Sequence, residues 1–399
     1  MKRVELLAPA GTPEKGEIAA AFGADALYFG IEGFNLRARS GNFSFSEAAV
    51  FLDSLHSRGK KGYATLNIYP KEDEWPMLEA FVRKMVSLPL DGVIVSTPGV
   101  LSLVRRSVPR LPLHVSTQAN VTESASARAW KEWGASRVIL ARELSLEEIR
   151  AVTANSGVET EVFIHGAMCM AYSGRCLMSK YMTGRDANAG DCAHPCRWRW
   201  YVREESRQNE LFEVTEDERG LYIFNSKDLM LYDYIRELTE AGVSSLKIEG
   251  RIKGILYVAT IVRAYRLLLD ALYRGETPDP RWRDSLFEAN NRGYHPGFLI
   301  PGGYESQLSS SRTTAPYDLL GYIDSEGFLA AKAPVEIGKA YEALQPLEPE
   351  TVPLIISSLH SPEGESLERG HPGKRYRIKA SLLLKPFSVI RYRRIGETK

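Results

Sequence analysis

"SLKIEG", residues 245–250, is the stretch on which the fold turns. Seven earlier runs share its character: "VELLAP" (4–9), "ALYFG" (26–30), "KGYATLNI" (61–68), "GVIVS" (92–96), "LHVST" (113–117), "RVILA" (137–141) and "EVFIH" (161–165). Each is short, rich in β-branched or aromatic residues, and apolar on both faces, as strands of a covered parallel sheet are. SLKIEG makes eight, and eight strands each followed by a helix specify an α/β fold, a TIM-like (β/α)8 barrel. A doubly wound open sheet is the competing reading, but no glycine-rich phosphate-binding turn follows the first run.

Helical segments separate the runs. "SFSEAAVFLDSLHSRG" (44–59) opens with Ser44 and carries Glu47 three residues on, a capping box, and Gly59 suits its end. "SLEEIRAVTANSG" (145–157) repeats the device with Ser145 and Glu148, and "KGILYVATIVRAYRLLLDALYRG" (253–275) spaces its apolar residues at helical period up to Gly275. The barrel is therefore expected over residues 1–275. An insertion at 166–244 delays the eighth strand and holds an expected hairpin of "WRWYV" with "LYIFN". Residues 276–316 read as a linker. From 317 to 399, short β runs such as "TVPLIIS" and "FSVIRYRR" predict a small all-β domain, a barrel or a sandwich.

The composition is globular, with 44% apolar and 25% charged residues and a net charge of +1, which excludes a polycationic or disordered chain. No stretch approaches a membrane span, and the apolar run near the start is too short for a secretion signal, so the expectation is a cytoplasmic protein with no membrane partner. Charge is uneven, however: "KRYRIKASLLLKPFSVIRYRR" (374–394) has eight Lys or Arg and no acid. It reads either as an edge strand guarded by cations or as a phosphate-contacting surface in which Lys374, Arg375, Arg391, Arg393 and Arg394 bind RNA.

In such a barrel the active site lies at the C-terminal ends of the strands. Those ends are polar here. Asn67 follows the third strand, Gln118 the fifth and Arg142 the sixth; His165 ends the seventh, and Lys247, Glu249 and Arg251 end the eighth. Charges pointing into a barrel must be paired or functional. All four cysteines, Cys169, Cys176, Cys192 and Cys196, follow the seventh strand directly, with six, fifteen and three residues between them. In a reducing compartment they read as metal or redox ligands. Spacing alone leaves three readings open: an iron–sulfur cluster, which tolerates irregular spacing; zinc, which prefers two close pairs; and free or catalytic thiols.

"EVFIHGAMCMAYSGRCLMS" (161–179) resembles the signature of the peptidase U32 family. The resemblance continues through "YMTGRDANAGDCAHPCRW" (181–198), "FNSKDLMLYDYIRELTEAGVSSLKIEGRIK" (224–253) and "NNRGYHPGF" (290–298), and includes "LLAPAG" near the start. The form of the cysteine segment and the appended β domain are most similar to the tRNA hydroxylation branch. That resemblance implies oxygen-independent hydroxylation at carbon 5 of the wobble uridine in tRNA, with prephenate as hydroxyl source. It also implies a [4Fe–4S] cluster on Cys169, Cys176, Cys192 and Cys196, converging at the barrel rim. Relatives in the family hydroxylate a ribosomal RNA cytidine or act in ubiquinone synthesis, and the family's older name implies proteolysis, for which no HExxH site is present. Zinc, and a non-enzymatic metal-stapled scaffold that binds RNA, are the remaining alternatives. On the hydroxylase reading, His165 and Glu249 are candidates for proton transfer, with Lys247 beside them. Lys247, Arg251, Arg142 and Arg39 are candidates to bind a small carboxylate co-substrate, with Asn67 and Gln118 lining its pocket. The electron donor is left unassigned.

Overall fold

The computed structural model describes residues 3–34, 41–169, 171–198, 215–217, 220–222, 227–303 and 315–394. Two compact units make up the chain: Met1–Pro13, Asp25–Ile252 and Asn291–Thr313 form the first, and Glu14–Ala24, Lys253–Asn290 and Thr314–Lys399 the second.

The strands of the first unit are β1 (Glu5–Ala10), β2 (Ala26–Gly30), β3 (Lys61–Leu66), β4 (Gly92–Val95), β5 (Leu113–Val115), β6 (Arg137–Ile139), β7 (Glu159–Ala167), β8 (Thr215–Asp217), β9 (Gly220–Tyr222), β10 (Asp228–Met230), β11 (Ser245–Ile248) and β12 (Tyr294–His295). β1 to β7 pair in order, all parallel, and β11 pairs with both β7 and β1, so eight strands close a ring. SLKIEG is thus the closing strand, and the TIM-like barrel holds. Closure sets Lys247 level with Leu7 on one side and with Phe163 on the other. A register shift after Lys247 then brings Ile248 opposite His165, an irregularity of the kind that re-aims side chains near active sites.

Local chemistry accounts for the helices between strands. The helices among the described residues are α1 (Pro13–Ala21), α2 (Phe45–Ser57), α3 (Trp75–Met85), α4 (Pro98–Ser107), α5 (Ser124–Glu132), α6 (Leu146–Ser156), α7 (Met178–Thr183), α8 (Ile235–Glu240), α9 (Ile255–Arg274) and α10 (Pro280–Ser285). α2 and α6 begin with complete capping boxes at Ser44/Glu47 and Ser145/Glu148, and α6 ends on Gly157 in the left-handed region. Inside the ring, Leu7, Tyr28, Tyr63, Ile94 and Ile139 form a buried cluster with Phe163 packed against it. These residues share the inward phase of their strands.

β7 is nine residues long and runs past the ring. Its extra length pairs antiparallel with β10, and β10 pairs parallel with β12, so the sequence "NNRGYHPGF" extends the sheet beyond His165. Of the expected hairpin, Trp198, Leu221 and Tyr222 alone fall within the described residues. Gly220–Tyr222 pairs there with Thr215–Asp217, and the rest of the expected hairpin lies outside the described residues.

The second unit holds β13 (Tyr317–Ile323), β14 (Leu329–Ala331), β15 (Val335–Glu336), β16 (Ala340–Leu344), β17 (Thr351–His360), β18 (Ser366–Leu367), β19 (Arg369–Gly370), β20 (Arg375–Ala380) and β21 (Val389–Arg393). The antiparallel order β16-β21-β13-β14-β20-β17 closes through a β16–β17 pair, which makes the appended region a small barrel. Leu320, Leu329, Leu354, Ile356 and Ile390 are among its core residues. Neither β20 nor β21 lies at a sheet edge, so the basic stretch is not a guarded edge strand. α9 belongs to this unit, although its sequence position follows the eighth barrel strand; its Arg263 donates to Thr351 Oγ1 on β17 at 3.0 Å.

Candidate active site at the mouth of the barrel

The barrel interior carries charge in two tiers. In the lower tier Arg137, at the start of β6, donates to Glu5 (2.6 Å), Glu161 (3.1 Å) and Glu159 (3.0 Å). The Tyr63 hydroxyl and Ser245 Oγ complete the shell of Glu5 at 2.6 and 2.9 Å. Burial would raise the Glu5 carboxyl, but the Arg137 charge and these hydrogen bonds outweigh it and hold the group below its ordinary value. Lys247 joins the same network. Its Nζ lies 2.8 Å from Glu161 Oε1 and 4.5 Å from the centroid of the Tyr28 ring, with 3% of the residue exposed. Desolvation pulls the ammonium below its usual value, against the pull of Glu161.

Lys247 therefore lies beneath the mouth, its charge met by a carboxylate that is itself fully buried. Lys247 is the penultimate residue of β11, and its ammonium turns to the lower-tier Glu161. His114 stands edge-on to Tyr63, and its Nδ1 is buried without a partner. Burial first, and then the nearby Arg137, Lys247 and Lys61 charges, push its pKa well down and keep the ring neutral.

The upper tier opens on the mouth. Tyr28 links the two tiers: its ring faces Lys247, and its hydroxyl donates to Ile248 O (2.9 Å) and Glu249 Oε2 (3.1 Å). Glu249 N donates to His165 O (2.9 Å), which places these two residues side by side. Gly166 permits this approach: its φ is +111°, and a Cβ there would lie 2.6 Å from Glu249 O. The His165 ring packs against Tyr294, 5.0 Å between centroids. Arg251 is buried and donates to Thr65 Oγ1 (3.0 Å).

Gln118 is held tightly. Its side-chain oxygen accepts from Asn67 Nδ2 (3.1 Å), Ser96 Oγ (3.1 Å) and Ser116 Oγ. Three donors on one oxygen fix which end of the amide is which, so the NH2 group is a donor of set orientation. Asn67 and Gln118, expected to line one pocket, are thus in direct contact. Arg142, expected to bind a carboxylate, also holds the chain: it donates to Ala167 O (2.7 Å) and Ser173 Oγ (2.8 Å), on either side of Cys169. Asn120 Nδ2 adds a bond to Ser173 O (3.1 Å), and a Cβ on Gly174 would collide with Tyr69. The start of the cysteine segment is thereby pinned to the loops after β5 and β6. Arg39 lies outside the described residues.

All four cysteines are free thiols; Cys169 is exposed and the others are half-buried. Cys192 Sγ accepts the amide N–H of His194 at 3.3 Å, a donor of the kind that stabilises thiolate sulfur. Arg185 pairs with Asp191 and also reaches Cys192 O. Among the described residues, no three His, Cys, Asp or Glu side chains stand in a geometry that holds a metal ion. The donor set fits a four-thiolate cluster in kind, and binding one requires the 169–196 segment to draw its sulfurs together.

The family model for "Peptidase family U32" matches residues 11–307. The chain belongs to peptidase family U32. Within U32 it is 37% identical over 365 residues to tRNA hydroxylation protein P of Helicobacter pylori (strain ATCC 700392 / 26695), covering 89% of this chain and 86% of that protein. It is 34% identical over 427 residues to tRNA hydroxylation protein P of Escherichia coli (strain K12), covering 95% and 93% respectively. A third relative is the 23S rRNA 5-hydroxycytidine C2501 synthase of Escherichia coli (strain K12), 35% identical over 270 residues and 68% of this chain, though only 40% of that protein.

The cations expected to grip RNA divide in the structure. Arg391 is a correction: 2% exposed, it donates to Glu288 (2.7 Å) and Glu342 (2.9 Å) and stacks 3.6 Å from the Tyr317 ring centroid, so it faces the interior of the second unit. Arg375 pairs with Asp324 and Glu326, and Arg394 with Asp318. Lys374 and Arg393 are exposed, with no ion pair among the described residues. Position along the strand, not alternation, separates the last pair: Arg391 and Arg393 share a phase on β21, but the first lies within the sheet and the second at its end.

Sequence reasoning missed Glu5, Tyr28, Tyr63 and Arg137. The inward phase of the strands would have found them, since each lies an even number of residues from another inward-facing position.

Proposed function

We propose that this U32 chain is an RNA-modifying enzyme that hydroxylates tRNA, with carbon 5 of the wobble uridine as its target. What carries the reading is its identity of about a third to tRNA hydroxylation proteins over roughly nine-tenths of its length. The cysteine segment pinned over a polar barrel mouth supports it. An unpaired anticodon base can enter such a mouth without breaking a duplex.

In this reading Cys169, Cys176, Cys192 and Cys196 hold a [4Fe–4S] cluster, which supplies one-electron redox chemistry. Arg251 and the Gln118 NH2 bind a small carboxylate co-substrate, prephenate in the proposed reaction, and the oriented Gln118 donor fixes its pose. Glu249, held by Tyr28 and adjacent to His165, accepts and returns the proton at the uracil ring. Lys374 and Arg393 contact tRNA phosphates. The reaction belongs to the cytoplasm, where tRNA is; no helix among the described residues is long and apolar enough to cross a membrane.

Nucleoside mass analysis of tRNA from a deletion strain tests the proposal. The 5-oxygenated wobble uridine should vanish and should return with the wild-type gene but not with Cys169→Ser. Intact tRNA with a missing ribosomal 5-hydroxycytidine would transfer the activity to rRNA.

A further inference from the structure

The second unit contains a cleft of about 420 Å³. Its lining includes Arg263 on α9, Trp282 on α10, Tyr317 on β13 and Arg391 on β21. The two arginines differ. Arg391 is fully engaged: two carboxylates and a tyrosine ring surround it. Arg263 is 4% exposed and, among the described residues, bonds only neutral acceptors, Thr351 Oγ1 at 3.0 Å and Glu350 O at 3.5 Å.

A guanidinium offers five N–H donors and cannot shed its charge under ordinary conditions. Arg263 therefore carries a desolvated cation without a carboxylate partner among the described residues, a costly arrangement unless an anion completes it. The acids nearby are committed elsewhere: Glu288 and Glu342 to Arg391, and Glu350 to Arg281. Asp284 is exposed, where water screens it. Burial, with Arg391 adding repulsion and the Glu288 charge offsetting only part of it, pushes the Arg263 guanidinium down to about 10, the direction a bound anion would reverse.

We propose that this cleft is an oxyanion site, with Arg263 as the residue that receives the oxyanion and the Trp282 indole as the adjoining wall. A guanidinium fork matches the paired oxygens of a phosphate, and an indole offers a stacking face to a nucleotide base. The oxyanion is either a phosphodiester of bound RNA or a free phosphate. The RNA source rests on the tRNA reading above; the site itself does not.

The test uses the full-length protein and inorganic phosphate. Phosphate should raise the thermal midpoint of the wild type in a concentration-dependent way, and this shift should disappear in Arg263→Gln while Arg263→Lys retains part of it. Trp282→Ala, which removes only the wall, should weaken the shift and covers the case in which Arg263→Gln fails to fold. A wild-type midpoint unmoved by phosphate, or an equal shift in Arg263→Gln, overturns the site. A second arm measures tRNA affinity against salt. If RNA supplies the oxyanion, Arg263→Gln loses about one unit of salt slope. An unchanged slope with the phosphate shift intact assigns the site to a free anion.

Discussion

At the scale of single residues, the barrel separates groups that stabilise from groups that face the mouth. Lys247 and Glu161 are stabilising: Lys247→Met leaves a buried carboxylate short of a cation and should cost about 3–5 kcal/mol in a denaturant melt, whereas the double variant with Glu161→Gln should recover part of the loss. Tyr28→Phe is the contrasting test. It keeps the ring over Lys247 but deletes the hydroxyl at Glu249, so stability should fall by only about 1 kcal/mol while hydroxylation falls much further. His114 sets a pH dependence. Its folded pKa is depressed, so the unfolded chain takes up a proton that the folded chain refuses. The stability is present above the unfolded value of about 6.5 and is lost as pH falls below it. Glu5 is likewise depressed, and its contribution fades further down, as pH falls below the ordinary carboxylate range. Urea melts between pH 7.5 and 5.5 should show the first loss in the wild type, and His114→Asn should flatten it by one proton.

The elements were the most legible part of the sequence, and the reason is local. A capping box needs two residues three apart, so Ser44/Glu47 and Ser145/Glu148 announce α2 and α6 before anything is known of their neighbours. Ser145→Ala should cost about 1 kcal/mol. The tiers inside the barrel were not legible in this way. Arg137 meets Glu5 across more than a hundred residues of chain, and only ring closure brings them together. Arg142 shows the same limit: its position at the end of the sixth strand says nothing of the bonds it makes to Ala167 O and Ser173 Oγ on the cysteine segment. Tight backbone approaches were also invisible to pattern. A Cβ on Gly11 would sit 1.9 Å from Arg251 O, so Gly11→Ala should destabilise by at least about 3 kcal/mol, and because Arg251 moves with it, activity should fall as well.

For the whole molecule, the division into two units changes what a truncation means. The composition shift after residue 275 suggests a barrel that ends there, yet α9 joins the C-terminal barrel through Arg263 and through its apolar face. A chain stopped at residue 316 should therefore yield insoluble protein, since it strips partners from a twenty-residue helix whose side chains are mostly buried. Full-length protein with Lys374→Ala and Arg393→Ala should bind tRNA with a salt slope reduced by about 1 for each phosphate contact removed. A slope identical to the wild type would exclude both side chains from the RNA interface.

Ring closure also dictates an order of events during synthesis. Strand β11 leaves the ribosome about eighty residues after β7, an interval on the order of ten seconds at ordinary elongation rates. Until then the first seven strands present two raw lips, at β1 and β7, each able to recruit a stray strand from another nascent chain. The delay introduced by the cysteine-bearing insertion thus leaves the half-made sheet exposed for longer than a barrel without it, and aggregation of nascent chains should rise with the rate of synthesis.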